Sequence, residues 1–155
     1  MKKSLLLVAL TLIAAIGLVT LVAQGMAFPV SQESLTGPRI FAYRGWQSVG
    51  TRVREGDQVR ILAEGTWLYT PGEYHGPEGH RRYSSPVFYP LPNVPGGALI
   101  GRIGEDGQPF YVGKRTHWWA SESGILYLRI DDDILSDNDG WVSVEVTVIP
   151  PTPLD

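Results

Sequence analysis

The chain contains no cysteine. That one absence excludes disulfide staples, thiolate zinc sites and a cysteine nucleophile. Positive charge is also scarce. The 13 basic residues are outnumbered by 16 acidic ones, and without Lys2 and Lys3, which precede the apolar leader described below, the balance becomes 11 against 16, a formal −5. Binding to nucleic acid is driven by neutralising phosphates with Lys and Arg, so nucleic acid is not an expected partner. Amphipathic helical periodicity is missing too, because 18 glycines and 12 prolines punctuate the chain. No serine sits in a Gly-x-Ser-x-Gly setting, so there is no hydrolase nucleophile elbow.

What is present begins with a leader. Lys2 and Lys3 precede an uncharged run over residues 4–23, rich in Leu, Ile, Val and Ala, with small residues at Ala23, Gly25 and Ala27. This is an export signature. The run exceeds the apolar core of about 7–15 residues usual in a signal peptide, and as a helix it spans about 30 Å of hydrocarbon. Two readings therefore stand for residues 1–27: a cleaved signal peptide, or a hydrophobic helix that anchors the chain in a membrane. Both place the rest outside the cytoplasm, secreted, periplasmic or at the cell surface. Residues 28–38 carry Pro29, Gly37 and Pro38 and read as a linker, residues 39–150 as one domain, and residues 151–155 as a tail. An exported domain without disulfides needs another staple. Bound calcium is one candidate, since a metal that binds only the folded state stabilises it.

Within the domain the apolar residues alternate with the two-residue period of a strand. Val59, Ile61 and Ala63 share one face; Val142, Val144, Val146 and Val148 alternate with Ser143, Glu145 and Thr147. Shorter strand candidates cover residues 46–53, 66–69, 98–103, 110–112, 117–120 and 125–130. Turn residues at 54–57, 104–107 and 139–140 separate them. Many short strands between Gly- and Pro-rich turns indicate an all-β sandwich or barrel. One connection, residues 70–95, is too long for an ordinary turn and reads as functional or disordered.

Two stretches carry chemistry. Residues 131–140 hold Asp131, Asp132, Asp133, Asp137, Asp139 and Asn138 between two strands. Crowded carboxylates repel one another, and calcium, which takes about six to eight oxygen ligands, would relieve that repulsion. An EF-hand is ruled out. With Gly140 as the loop glycine, Leu135 falls at the first ligand position and Val146 where the closing Glu belongs. A solvated acidic turn is the plain alternative. The second stretch, residues 65–79, places Trp67, Tyr69, Tyr74 and His75 at a strand end, and aromatic faces beside polar groups suit sugars. Trp67 also reads as an ordinary core residue.

These stretches, together with Gly97-Ala98-Leu99-Ile100-Gly101-Arg102-Ile103-Gly104 and the opening Gly45-Trp46-Gln47-Ser48-Val49-Gly50, resemble the PA-IL-like family of bacterial calcium-dependent galactophilic lectins. The likeness runs from about residue 43 to residue 148. It implies a jelly-roll-like β-sandwich of two antiparallel sheets, with one Ca2+ between the two stretches. The resemblance implies metal ligands at the Tyr69 carbonyl, at Asp132 with Asp131 as the close alternative, at Asp137 and Asn138, and at a carbonyl of Ile134 or Leu135. It implies sugar contacts from Asp132, Asp137 and Asn138, with a carbohydrate diol completing the calcium shell. Tyr74, His75 and Tyr83 are further candidate sugar contacts. The acidic loop is about two residues shorter than in the family. The family's His-Pro-Asp-Gln stretch falls at Tyr83, Ser84, Ser85 and Pro86, so galactose preference does not carry over.

His75, His80 and His117 are scattered, and their spacing does not support a metal trio. Trp118 and Trp119 read as a half-buried strand pair facing opposite ways. The expectation is a binding domain, not an enzyme: a calcium-dependent carbohydrate-binding module, or alternatively an exported structural or protein-interaction β-sandwich stabilised by calcium without sugar binding.

Overall fold

The computed structural model describes residues 35–70 and 72–152; the leader, the hydrophobic helix expected over residues 4–23, most of the linker and the end of the tail lie outside the described residues. The described strands in chain order are β1 (Arg39–Phe41), β2 (Gln47–Val53), β3 (Gln58–Thr70), β4 (Glu73–His75), β5 (Leu99–Ile103), β6 (Phe110–Tyr111), β7 (Arg115–Trp119), β8 (Gly124–Ile130) and β9 (Asp139–Ile149). A single 3-10 turn, Leu135–Asp137, precedes β9.

The strands form two sheets, paired antiparallel throughout. One has the order β1-β9-β3-β4, with β7 also on β3; the other has the order β2-β8-β5-β6. Alternation explains why they face each other. Val59, Ile61, Ala63, Trp67, Val142 and Val144 of the first sheet meet Val53, Leu99, Leu126, Leu128 and Ile130 of the second in one buried cluster. The described domain is therefore all-β, as its periodicity indicates, and of the two forms left open it is the sandwich.

The longest pairing, β3 with β9, departs from the expected break between residues 64 and 66. The ladder runs unbroken from Gln58↔Ile149 to Leu68↔Asp139, through Gly65↔Val142. Gly65 permits this with φ +119, and a Cβ there would stand 3.0 Å from the Trp141 carbonyl oxygen. A glycine that reads as punctuation is here the residue that keeps a 13-residue strand continuous.

Two strands carry no apolar alternation. Three-residue β1 is held by Arg39↔Ser143 and its neighbours on β9, and β4 folds back on β3 through Trp67↔His75 and Leu68↔Tyr74. Both exist because a partner strand is available, not through their own residues. After β4 the long connection is tied down by backbone bonds: His80 N–H to Gly96 O (2.8 Å), Ser85 N–H to Val94 O (2.7 Å) and Gly96 N–H to Tyr83 O (2.9 Å).

Candidate functional site

The β3–β9 ladder brings the two chemistry-bearing stretches together. Leu68 is opposite Asp139 at the end of the ladder, so Tyr69 continues β3 alongside the end of the acidic loop at Asn138. Tyr69 also falls where the β3–β4 register slips, between Leu68 and Thr70. Its side chain is buried. Gly97 makes room for that ring: a Cβ on Gly97 would lie 2.5 Å from Tyr69 Cγ. Trp67 is wholly buried and donates from Nε1 to the Gly97 carbonyl at 2.9 Å. The glycines at the start of the Gly-Ala-Leu-Ile-Gly string thus serve as a seat for the aromatics of β3.

The aspartates of the loop separate into different roles. Asp131 is fully buried, yet its carboxylate turns into the long connection, accepting from Ser85 Oγ and from Leu91 N–H at 3.0 Å. Asp132 is 4% exposed and accepts from Asn138 Nδ2 at 2.8 Å. Burial raises the pKa of both carboxyls, and hydrogen bonding opposes that shift. The Arg129 guanidinium backs the loop by donating to the Ile130 and Asp132 carbonyls. Burial lowers its pKa, and the charges of Asp131 and Asp132 oppose that.

Asn138 is 6% exposed. Its amide nitrogen is engaged with Asp132 and, at 3.5 Å, with the Ala42 carbonyl, but its oxygen Oδ1 is buried with no hydrogen-bond partner among the described residues. A buried acceptor left unpaired costs about 1–3 kcal/mol, so this oxygen calls for a donor or a cation. It sits beside a buried carboxylate. Both donor atoms are oxygen, the chemistry that calcium takes and softer metals do not prefer.

The other expected positions are distributed around this pair. Asp137 is exposed at the end of the 3-10 turn; Asp133, before the turn, and Asp139, the first residue of β9, are exposed too. Leu135 packs against the core, and its carbonyl accepts from Asn138 N–H at 3.4 Å. His75 and Tyr83 lie against the Tyr69 ring with centroids 6.1 and 6.3 Å away, whereas Tyr74 is 61% exposed.

One functional neighbour is not legible in the sequence. Tyr89, from the middle of the long connection, hydrogen-bonds Tyr69 Oη at 3.1 Å and lies close enough to Asp132 to feel its charge. A pair of hydrogen-bonded tyrosines therefore stands beside the Asp132 carboxylate. Burial pushes the Tyr69 phenol up to about 12 and raises Tyr89 as well. Both stay protonated at neutral pH, and either can donate in the bond between them. Only the general rule that a long ordered connection does something pointed towards Tyr89.

No protein-family model and no curated protein matches the chain. Among solved structures, one described as "EclA N-terminal domain; PllA-like lectin" matches with a TM-score of 0.58 and 22% sequence identity, over 72% of this chain and 93% of that one. The likeness is one of fold.

Proposed function

We propose that this domain binds carbohydrate through a calcium ion held at Asp132 and Asn138. The observation that carries the reading is the unpartnered, buried Oδ1 of Asn138 next to the buried Asp132 carboxylate. The Tyr69 carbonyl and Asp137 complete the ligand set that the sequence suggests. Asp131 takes a supporting role, holding Ser85 and Leu91 so that the long connection walls the site. When bound, calcium supplies coordination positions that a pair of neighbouring sugar hydroxyls can fill in place of water. Asp132 and Asn138 then accept from and donate to the same hydroxyls, the two side chains already bonded to each other at 2.8 Å. The fold likeness to a lectin domain supports this reading. The leader supports a location outside the cytoplasm.

Binding fits this arrangement better than hydrolysis does. A glycosidase needs two carboxyls about 5–9.5 Å apart flanking a bond. Asp131 and Asp132 are adjacent residues whose carboxylates are each occupied by hydrogen bonds. The test is calcium titration by calorimetry, followed by a glycan array with and without EDTA. One calcium per chain and EDTA-sensitive sugar retention are expected; sugar retention indifferent to EDTA, or no calcium uptake, overturns the reading.

One observation favours the alternative, a protein-interaction domain. Val87 and Phe88 are 85% and 66% exposed at the tip of the long connection. Under that reading calcium stabilises the fold while a broad glycan array stays blank.

A further inference from the structure

We infer that Glu73, His75 and His80 form a second metal site, specific for a transition cation of the zinc class and separate from the proposed calcium site. All three residues lie on β4 and the turn after it, and one ligand atom from each falls within 4.8 Å of the others. Glu73 Oε2 is 3.4 Å from His75 Nε2 and 3.3 Å from His80 Nε2. A tetrahedral zinc site with bonds of about 2.0–2.1 Å has ligand–ligand edges of about 3.3–3.4 Å. Two of the three edges already have that length.

His75 Nε2 gives an independent indication. It is buried and makes no hydrogen bond among the described residues, although the Glu73 carboxylate lies within ion-pair distance. A cation shared with the Glu73 carboxylate, 3.4 Å away, would satisfy this nitrogen. The two imidazole rings are 4.7 Å apart between centroids, and the Nε2 of each lies near the same Glu73 oxygen. Two imidazoles and one carboxylate select zinc, nickel, cobalt or copper over calcium and magnesium. The site opens onto a groove of about 600 Å³ between β4 and the following turn, which leaves room for a water as fourth ligand.

Two features oppose the site. The Arg82 amide donates to His80 Nδ1 at 3.0 Å. A neutral histidine that binds a cation through Nε2 carries its proton on Nδ1, so that amide must turn to solvent, at a cost of about 1 kcal/mol for an exposed bond. Arg81 and Arg82 also place positive charge nearby, but both are exposed and screened. His117, the third histidine, lies on β7 opposite Arg60 and takes no part.

The experiment is zinc titration of the whole protein by calorimetry, paired with the absorption spectrum of the cobalt-loaded form. We expect one zinc per chain beyond any calcium, intense tetrahedral cobalt bands, and at least tenfold weaker zinc binding in His80→Gln and in Glu73→Gln. His117→Gln should bind zinc as the parent does, and the calcium response of His80→Gln should be unchanged. Weak octahedral cobalt bands overturn the inference in the parent protein, whatever the variants do. So does zinc binding that survives His80→Gln and disappears in Asp132→Asn, since the metal then sits among the oxygens of the acidic loop. Failure of the calcium reading leaves the zinc result intact, so the two proposals fail separately.

Discussion

Replacing Asp132 by Asn separates a calcium ligand from a merely buried carboxylate. The two side chains have the same size, and the new amide oxygen can still accept from Asn138 Nδ2, now 2.8 Å from Asp132. Neutralising a carboxyl that is 4% exposed also removes its desolvation penalty. The calcium-free variant should therefore lie within about 1 kcal/mol of the parent, or above it. Calcium at about 100 times its Kd stabilises the parent by about 2.7 kcal/mol, and about 4 °C per kcal/mol gives a rise in Tm of about 11 °C. Losing one member of a buried ion pair costs about 3 kcal/mol, or about 100-fold in affinity. At the same calcium concentration the variant gains only about 0.4 kcal/mol, about 2 °C. Thermal denaturation monitored by tryptophan fluorescence, with calcium and with EDTA, reads both numbers. An equal calcium shift in parent and variant, or none in the parent, refutes the reasoning.

Three substitutions and one titration extend this. Asp131→Ala removes the acceptor for Ser85 Oγ and Leu91 N–H; a stability loss of about 2–4 kcal/mol in denaturant, with faster proteolysis within residues 76–98, is expected. Trp67→Phe leaves the Gly97 carbonyl without its 2.9 Å donor in the core, so urea unfolding should show a loss of about 1–3 kcal/mol. Gly65→Ala forces a Cβ to 3.0 Å from the Trp141 carbonyl oxygen at φ +119; a loss of about 2–3 kcal/mol should appear in the same assay. The pKa of both Asp131 and Asp132 is raised in the fold, so the folded protein binds protons more tightly than the unfolded chain. Their contribution is complete below the ordinary carboxylate pKa and is lost as pH rises through the raised values. Without calcium, these two groups lower Tm as pH climbs across that window. Bound calcium needs the ionised forms, so the gap between calcium and EDTA curves should widen with pH.

The fold was largely legible. Val59, Ile61 and Ala63, and the four alternating valines of β9, declare their faces within a few residues, because the pleat repeats every second position. Gly65 misled because a glycine inside a strand and a glycine ending one look alike until Trp141 is placed opposite. β4 was hidden because Glu73, Tyr74 and His75 form a strand only against Trp67 and Leu68.

The order of residues alone determined that this chain is all-β, a sandwich or a barrel, and that its carboxylates cluster between the last two strands. Both depend on neighbours a few positions apart. The tertiary structure decided which carboxylate does what: Asp131 meets Ser85 and Leu91, 46 and 40 residues away, while Asp132 turns to Asn138. It also set Glu73 against His75 and His80. The Asp131 pairings depend on how the long connection is tied down, by Ser85 N–H to Val94 O and Gly96 N–H to Tyr83 O. No local period encodes a contact that the chain makes only after closing a loop that long.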